Sequence, residues 1–174
     1  MKNIILTGFV FLALLLNSQK GKTFPEVKGV TLDDKTAALP MKNGKFTIVA
    51  IAFNRGAEDD LKKWLNPLYD NFMKKEKGSN FDMAELYDVN FMFVPMISGF
   101  KKIANDFKSG TDKQFWPYIM DTEKTDVNEL QKQLGIEDNK IPYFYVLNKE
   151  GKIVEFQSGK FTEAKLEKIQ DAIE

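Results

Sequence analysis

The sequence predicts an α/β domain, with a mixed central sheet and helices on both of its faces. Three observations predict it. Phe46 to Phe53 (FTIVAIAF) is a near-continuous apolar run rich in β-branched residues, as in a strand buried on both sides. Val89 to Ile97 (VNFMFVPMI) reads as a second such strand, and a helical pattern lies between the two, which makes a right-handed βαβ unit. Tyr143 to Leu147, the turn Asn148-Lys149-Glu150-Gly151 and Lys152 to Phe156 then form a hairpin, followed by a last helix.

The elements follow in order. Met1 and Lys2 precede an apolar run from Ile4 to Leu16, which leaves through Asn17, Ser18, Gln19 and Lys20. A basic start, a short apolar run and a polar exit have the form of a secretory signal peptide, assigned here to residues 1–20. As a helix the run would rise only about 20 Å, short of the ~30 Å hydrocarbon core. A buried N-terminal helix is the alternative. Ser18 and Gly21 both offer small residues for a cleavage point. Residues 21–174 are then a single domain, exported to a periplasmic or extracellular compartment.

Thr23 to Pro40 is polar apart from an apolar alternation at Val27 to Leu32, read as an edge strand or hairpin ahead of the main fold. Asn43-Gly44 marks a turn. After the first core strand, Leu61, Trp64, Leu65, Leu68 and Phe72 fall at helical spacing. Pro67 should kink that helix. Lys74, Lys75 and Lys77 should close it, with Gly78 as its stop. A short helix is expected from about Gly99 to Phe107. Thr111 to Asp121, with Phe115-Trp116-Pro117-Tyr118, reads as a loop with a short extended piece. Asp126 and Glu129 have capping-box spacing ahead of Leu130 and Leu134, and Gly135 should end that helix. Thr162 should cap the last helix, with Phe161 and Leu166 as a hydrophobic staple.

Composition excludes several function classes. The chain of 174 residues has no cysteine and no histidine. Thiol nucleophiles, disulfide exchange, imidazole acid–base work and nearly every transition-metal site are thereby removed. Lys+Arg and Asp+Glu balance at 25 each, and without residues 1–20 the charge is −2. That balance gives no electrostatic case for nucleic acid. No phosphate loop, serine triad or zinc spacing occurs. Neither a cofactor nor a metal is expected. Fifteen phenylalanines supply much of the core, so packing rather than cross-links holds the domain together.

The closing segment carries a resemblance. Ile141-Pro142-Tyr143-Phe144-Tyr145-Val146-Leu147-Asn148-Lys149-Glu150-Gly151-Lys152-Ile153-Val154, then Gly159 and Thr162-Glu163, resembles the closing ββα unit of exported thioredoxin-like and peroxiredoxin-like proteins. Gly44-Lys45-Phe46 to Phe53 looks like the first core strand of that superfamily, and Pro67 falls near its helix kink. A narrower likeness, through Trp64-Leu65-Asn66-Pro67 and the Gly-turn hairpin, is to the thioredoxin-like mitochondrial ATP-synthase assembly factors. The resemblance covers about residues 23–174 and implies a thioredoxin-like three-layer sandwich. It implies a cis-proline at Pro142. It also implies a groove for extended peptide there, held by strand addition.

The chemistry departs from that superfamily. Its redox cysteines would lie between Phe53 and the helix start, where this chain has Asn54-Arg55-Gly56-Ala57-Glu58-Asp59-Asp60. Disulfide reductase, isomerase and thiol peroxidase activities therefore do not carry over. Arg55, the only arginine, could contact an anion near a helix N-terminus or form a local salt bridge to Glu58 or Asp59. Glu58, Asp59 and Asp60 could form an acid–base or hard-cation site, or simply be helix-start charges. Asp121, Glu123 and Asp126 lack the glycine and terminal glutamate of a calcium loop and read as solvated. The Phe115–Tyr118 cluster reads as a loop pinned to the core or as a binding surface.

The expected function is a non-catalytic, exported domain that binds a protein or extended peptide, as a chaperone or assembly factor. Its binding residues would be Asn54, Arg55, Gly56, Ala57, Glu58, Ile141, Pro142 and Tyr143. The alternatives are a carboxylate-dependent enzyme using Glu58 or Asp60, and a thiol-less structural subunit of an envelope complex.

Overall fold

The computed structural model describes residues 19–74, 87–96, 108–122 and 125–173. The leader up to Ser18, the expected helix near residues 99–107, the lysines at 75 and 77, Gly78 and Glu123 lie outside the described residues.

Among the described residues, seven strands and three α-helices build the fold. They are β1 Val27–Thr31, β2 Thr36–Leu39, β3 Thr47–Ala52, α1 Arg55–Phe72, β4 Asn90–Pro95, β5 Met120–Asp121, α2 Val127–Gln133, β6 Tyr143–Leu147, β7 Ile153–Ser158 and α3 Glu163–Asp171. The main sheet has the order β4-β3-β6-β7. β3 and β4 are parallel, as the βαβ reading requires, while β6 and β7 add antiparallel neighbours. The mixed central sheet is therefore present.

Alternation along the strands sorts the core into two layers. Ile48, Ala50 and Ala52 of β3, Phe91 and Phe93 of β4, and Phe144 and Val146 of β6 face one way. They meet Leu61, Trp64 and Leu68 of α1 and Leu166 and Ile169 of α3. Val49, Ile51, Met92, Val94, Tyr143, Tyr145 and Leu147 face the other way, against Leu130 of α2 and Phe24, Val27 and Leu39 of the N-terminal region. Every residue of β3 is buried, which is why its sequence shows no alternation. Each large apolar side chain so buried contributes about 1.5–3 kcal/mol.

The N-terminal hairpin forms as expected, with β1 antiparallel to β2. It also recruits β5 into a second sheet of order β2-β1-β5, which the sequence did not disclose. A parallel bridge between Phe93 and Ile119 joins the two sheets. The stretch ahead of β5 is a 3-10 helix, Lys113–Tyr118, rather than a loop. The Asp112 carboxylate accepts from Gln114 N, and the Trp116 indole N–H donates to Thr111 O at 3.1 Å. Phe115 is buried against the α1 layer, its ring edge-on to Tyr69, so this aromatic cluster is pinned to the core.

Several ends differ from expectation. Helix α1 stops at Phe72 with Met73 as its cap, before the lysines expected to close it. Met73 N and Lys74 N both donate to Tyr69 O, and this doubled bond ends the helical ladder. Pro67 does sit inside α1. Asp126 accepts from Asn128 N and Glu129 N at the start of α2. The Glu129 carboxylate meets Gln133 instead of reaching back to the cap, so only half of the capping box forms. Gly135 follows α2 at φ 61°, a conformation that favours glycine. Thr162 caps α3 through its backbone oxygen, without a side-chain bond.

Candidate functional site

The pairing of Ile51 with Tyr143 brings the ends of β3 and β6 side by side. The chain leaves β3 through Phe53 and Asn54 and enters β6 through Ile141 and Pro142, so the two segments expected to form a groove do meet. The rings of Phe53 and Tyr143 lie edge-on, 6.5 Å apart.

Asn54 is the pivot of this region. Its backbone is extended, and its side-chain oxygen accepts from Ala57 N at 3.0 Å, which makes it the N-cap of α1. Its amide nitrogen donates to Asn139 Oδ1 at 3.1 Å, across to the loop before β6. A single amide thus closes the helix start and ties the two segments together. Asn139 was not among the residues singled out from sequence. Its only local signal is the turn-forming pair Asp138-Asn139 ahead of Ile141-Pro142.

The remaining candidates divide by exposure. Arg55 and Gly56 are exposed, and Ile141 is half-buried against the α2 layer. Ala57, Pro142 and Tyr143 are buried and shape the wall from behind. The Tyr143 hydroxyl donates to Asp138 O at 2.6 Å, which holds the loop against β6. Burial, helped by the nearby Asp138 charge, pushes that phenol up to about 12.

One expectation about the charges needs correction. Arg55 forms no salt bridge with Glu58 or Asp59 among the described residues. Glu58 turns into the protein and pairs with Lys62 at 2.9 Å, one helical turn on. Its spacing to Lys62 suits an i, i+4 pair, whereas Arg55 sits at the exposed helix start. Asp60 pairs with Lys63 at 2.8 Å, and that hydrogen bond holds its carboxyl below the usual range. A carboxyl lowered in this way is a poor proton donor near neutral pH. Of the three acids, Glu58 lies in the first turn of α1, and Glu58 and Asp60 each pair with a lysine. Among the described residues, no group of three or more acidic side chains is placed to hold a metal ion.

The cis-proline expectation is overturned. Among the described residues the cis peptide bond is Leu39–Pro40, and Ile141–Pro142 is trans. Trans is the intrinsically favoured isomer by about 0.5–1 kcal/mol. With it, Pro142 O accepts from Gly159 N at 2.8 Å, continuing the β6–β7 ladder past Tyr143.

The layered sheet and the meeting of the β3 and β6 ends define a thioredoxin-like fold. The chain matches the thioredoxin domain of a thiol-disulfide oxidoreductase from Bacteroides vulgatus at TM-score 0.62 and 18% identity, over 89% of this chain and 98% of that one. It matches an exposed lipoprotein thioredoxin from Streptococcus pneumoniae at TM-score 0.55 and 15% identity, over 84% and 99%. A thiol-disulfide oxidoreductase from Bacteroides fragilis matches at TM-score 0.53 and 15% identity, over 86% and 98%. At these identities the likeness is one of fold. No curated protein sequence matches.

Within that fold the chain belongs to the ATP10 protein family, whose model matches residues 8–174. The same family is the one to which the Trp64–Pro67 helix and the Gly-turn hairpin pointed.

Proposed function

We propose that this protein is an exported, non-redox assembly factor that holds an extended segment of a protein partner against the surface formed by residues 54–56 and 139–141. The carrying observation is Asn54. At the position where thioredoxins place a reactive thiol, this chain places a helix cap that donates to the neighbouring Asn139. Hydrogen-bonding amides and the exposed Arg55 suit the recognition of a polypeptide backbone or carboxylate. Nothing in that arrangement suits electron or acyl transfer. Family membership supports an assembly role, and the basic start followed by the apolar run from Ile4 to Leu16 supports export. No observation favours the carboxylate-dependent enzyme, because Glu58 and Asp60 are both engaged by lysines.

The test is capture of partners from the envelope fraction with a photo-crosslinking residue at Gly56 or Asn139, in the parent and in Arg55→Ala. A discrete adduct that weakens in Arg55→Ala is expected. Equal recovery from both, and from a crosslinker placed at Lys149 in the distant β6–β7 turn, would sink the groove assignment. Fractionation of the tagged chain tests export separately.

A further inference from the structure

β7 is the end strand of the main sheet, and an end strand presents a row of unpaired backbone groups to solvent. Gly159 N bonds Pro142 O, so alternation along the antiparallel pair turns the N–H and C=O of residues 156 and 158 away from β6. The same edge already accepts a strand at its other end. Gly21 N donates to Ile153 O at 2.7 Å, Ile153 N donates to Lys22 O at 2.9 Å, and Thr23 pairs antiparallel with Lys152.

Among the described residues, that added ladder stops where two charged side chains begin. The Glu155 carboxylate accepts from Phe156 N at 2.9 Å, which occupies the next outward donor of the edge. The same carboxylate is fixed by Lys20 at 2.7 Å and by the Gln157 amide at 3.0 Å. Further along, Lys165 of α3 donates to Ser158 O at 2.7 Å and to Lys160 O at 2.9 Å. An outward donor and an outward acceptor on successive pairing positions are thus both occupied, one by an anion and one by a cation.

We propose that Glu155 and Lys165 are plugs that close the β7 edge against strand pairing with a second copy of this chain, and that Lys20 holds the first plug in place. The second copy is the occupant at issue because β7 is self-complementary. Two β7 edges run antiparallel about a two-fold axis present the same outward groups to each other. Each edge would then extend a four-stranded sheet into a continuous eight-stranded one.

The experiment compares the parent chain, Glu155→Ala/Lys165→Ala, the same pair with Ser158→Pro, and Glu155→Gln. Sedimentation velocity over about a hundredfold concentration range reads the mass. The parent and Glu155→Gln, which keeps an acceptor oxygen, should sediment as monomers. The double variant should shift towards twice that mass. Ser158→Pro removes an outward N–H and should return it to the monomer. A folded double variant that stays monomeric overturns the proposal, as does association that survives Ser158→Pro. Should the double variant fail to fold, hydrogen exchange at the Phe156 amide in Glu155→Ala alone decides. Exchange should quicken about tenfold or more on loss of a charged acceptor, and an unchanged rate refutes the plug.

Discussion

Tyr143 and Tyr145 stand on the same face of β6, yet their hydroxyls meet opposite fates. Tyr143 donates to Asp138 O, whereas the buried Tyr145 hydroxyl has no hydrogen-bond partner. A buried unpaired hydroxyl costs about 1–3 kcal/mol. Tyr145→Phe should therefore raise the unfolding free energy, by about 1 kcal/mol, since the ring keeps its packing on Phe24 and Phe156. Tyr143→Phe should lower it, because Asp138 O loses its donor. Burial first, and the Asp138 charge second, raises the Tyr143 phenol to about 12 from an ordinary 10.0. The folded state thus keeps this proton when the unfolded chain has lost it. Its contribution is complete below pH 10 and fades as pH rises towards 12. Urea titrations at pH 8 and pH 11 should show Tyr143→Phe losing less stability than the parent over that interval. An equal loss in both proteins would contradict the assignment.

At the scale of elements, the least anticipated feature is the pairing of β1 with β5. Val30 and Thr31 align with Asp121 and Met120, and Gly29 lies so close to β5 that a Cβ there would strike the Asp121 carbonyl and the Met120 side chain. Gly29→Ala should cost about 1–3 kcal/mol, with the loss appearing as faster amide exchange in residues 120–121. A neutral effect would mean that the two strands separate freely. The sequence showed β3, β4 and β6 because each is a continuous apolar run, β7 because a turn signal returns the chain from β6, and α1 because its apolar residues repeat at helical spacing. β5 has two residues, too few for any period to register. The 3-10 helix before it was read as a loop for the same reason, since its Asp112 cap and the Trp116 bond to Thr111 are local contacts without a repeating pattern.

At the scale of the whole molecule, the boundary between leader and domain is open to a direct test. Gln19 is buried beside Gly135, and Lys20 reaches Glu155, 135 residues away in sequence. A chain beginning at Gln19 should match the full chain in thermal unfolding. One beginning at Gly21 should melt lower, by the contribution of the buried Gln19 and of the Lys20–Glu155 pair. Differential scanning calorimetry of the two chains checks it, and coincident transitions would place the boundary at Gly21.

The sequence by itself determined the layers of this protein and the chemistry closed to it. Apolar runs dictate which strands are buried, and a chain without cysteine has no thiolate to offer, whatever its fold. Only the tertiary structure decided what stands in place of that chemistry. Asn54 meets Asn139 across 85 residues, Glu58 turns inward to Lys62, Ile141–Pro142 is trans, and Glu155 folds back on its own strand edge. The reason is physical. Burial periodicity is written locally, residue after residue. The partner of a polar group is set by which distant backbone arrives beside it, and that leaves no mark in the neighbouring sequence.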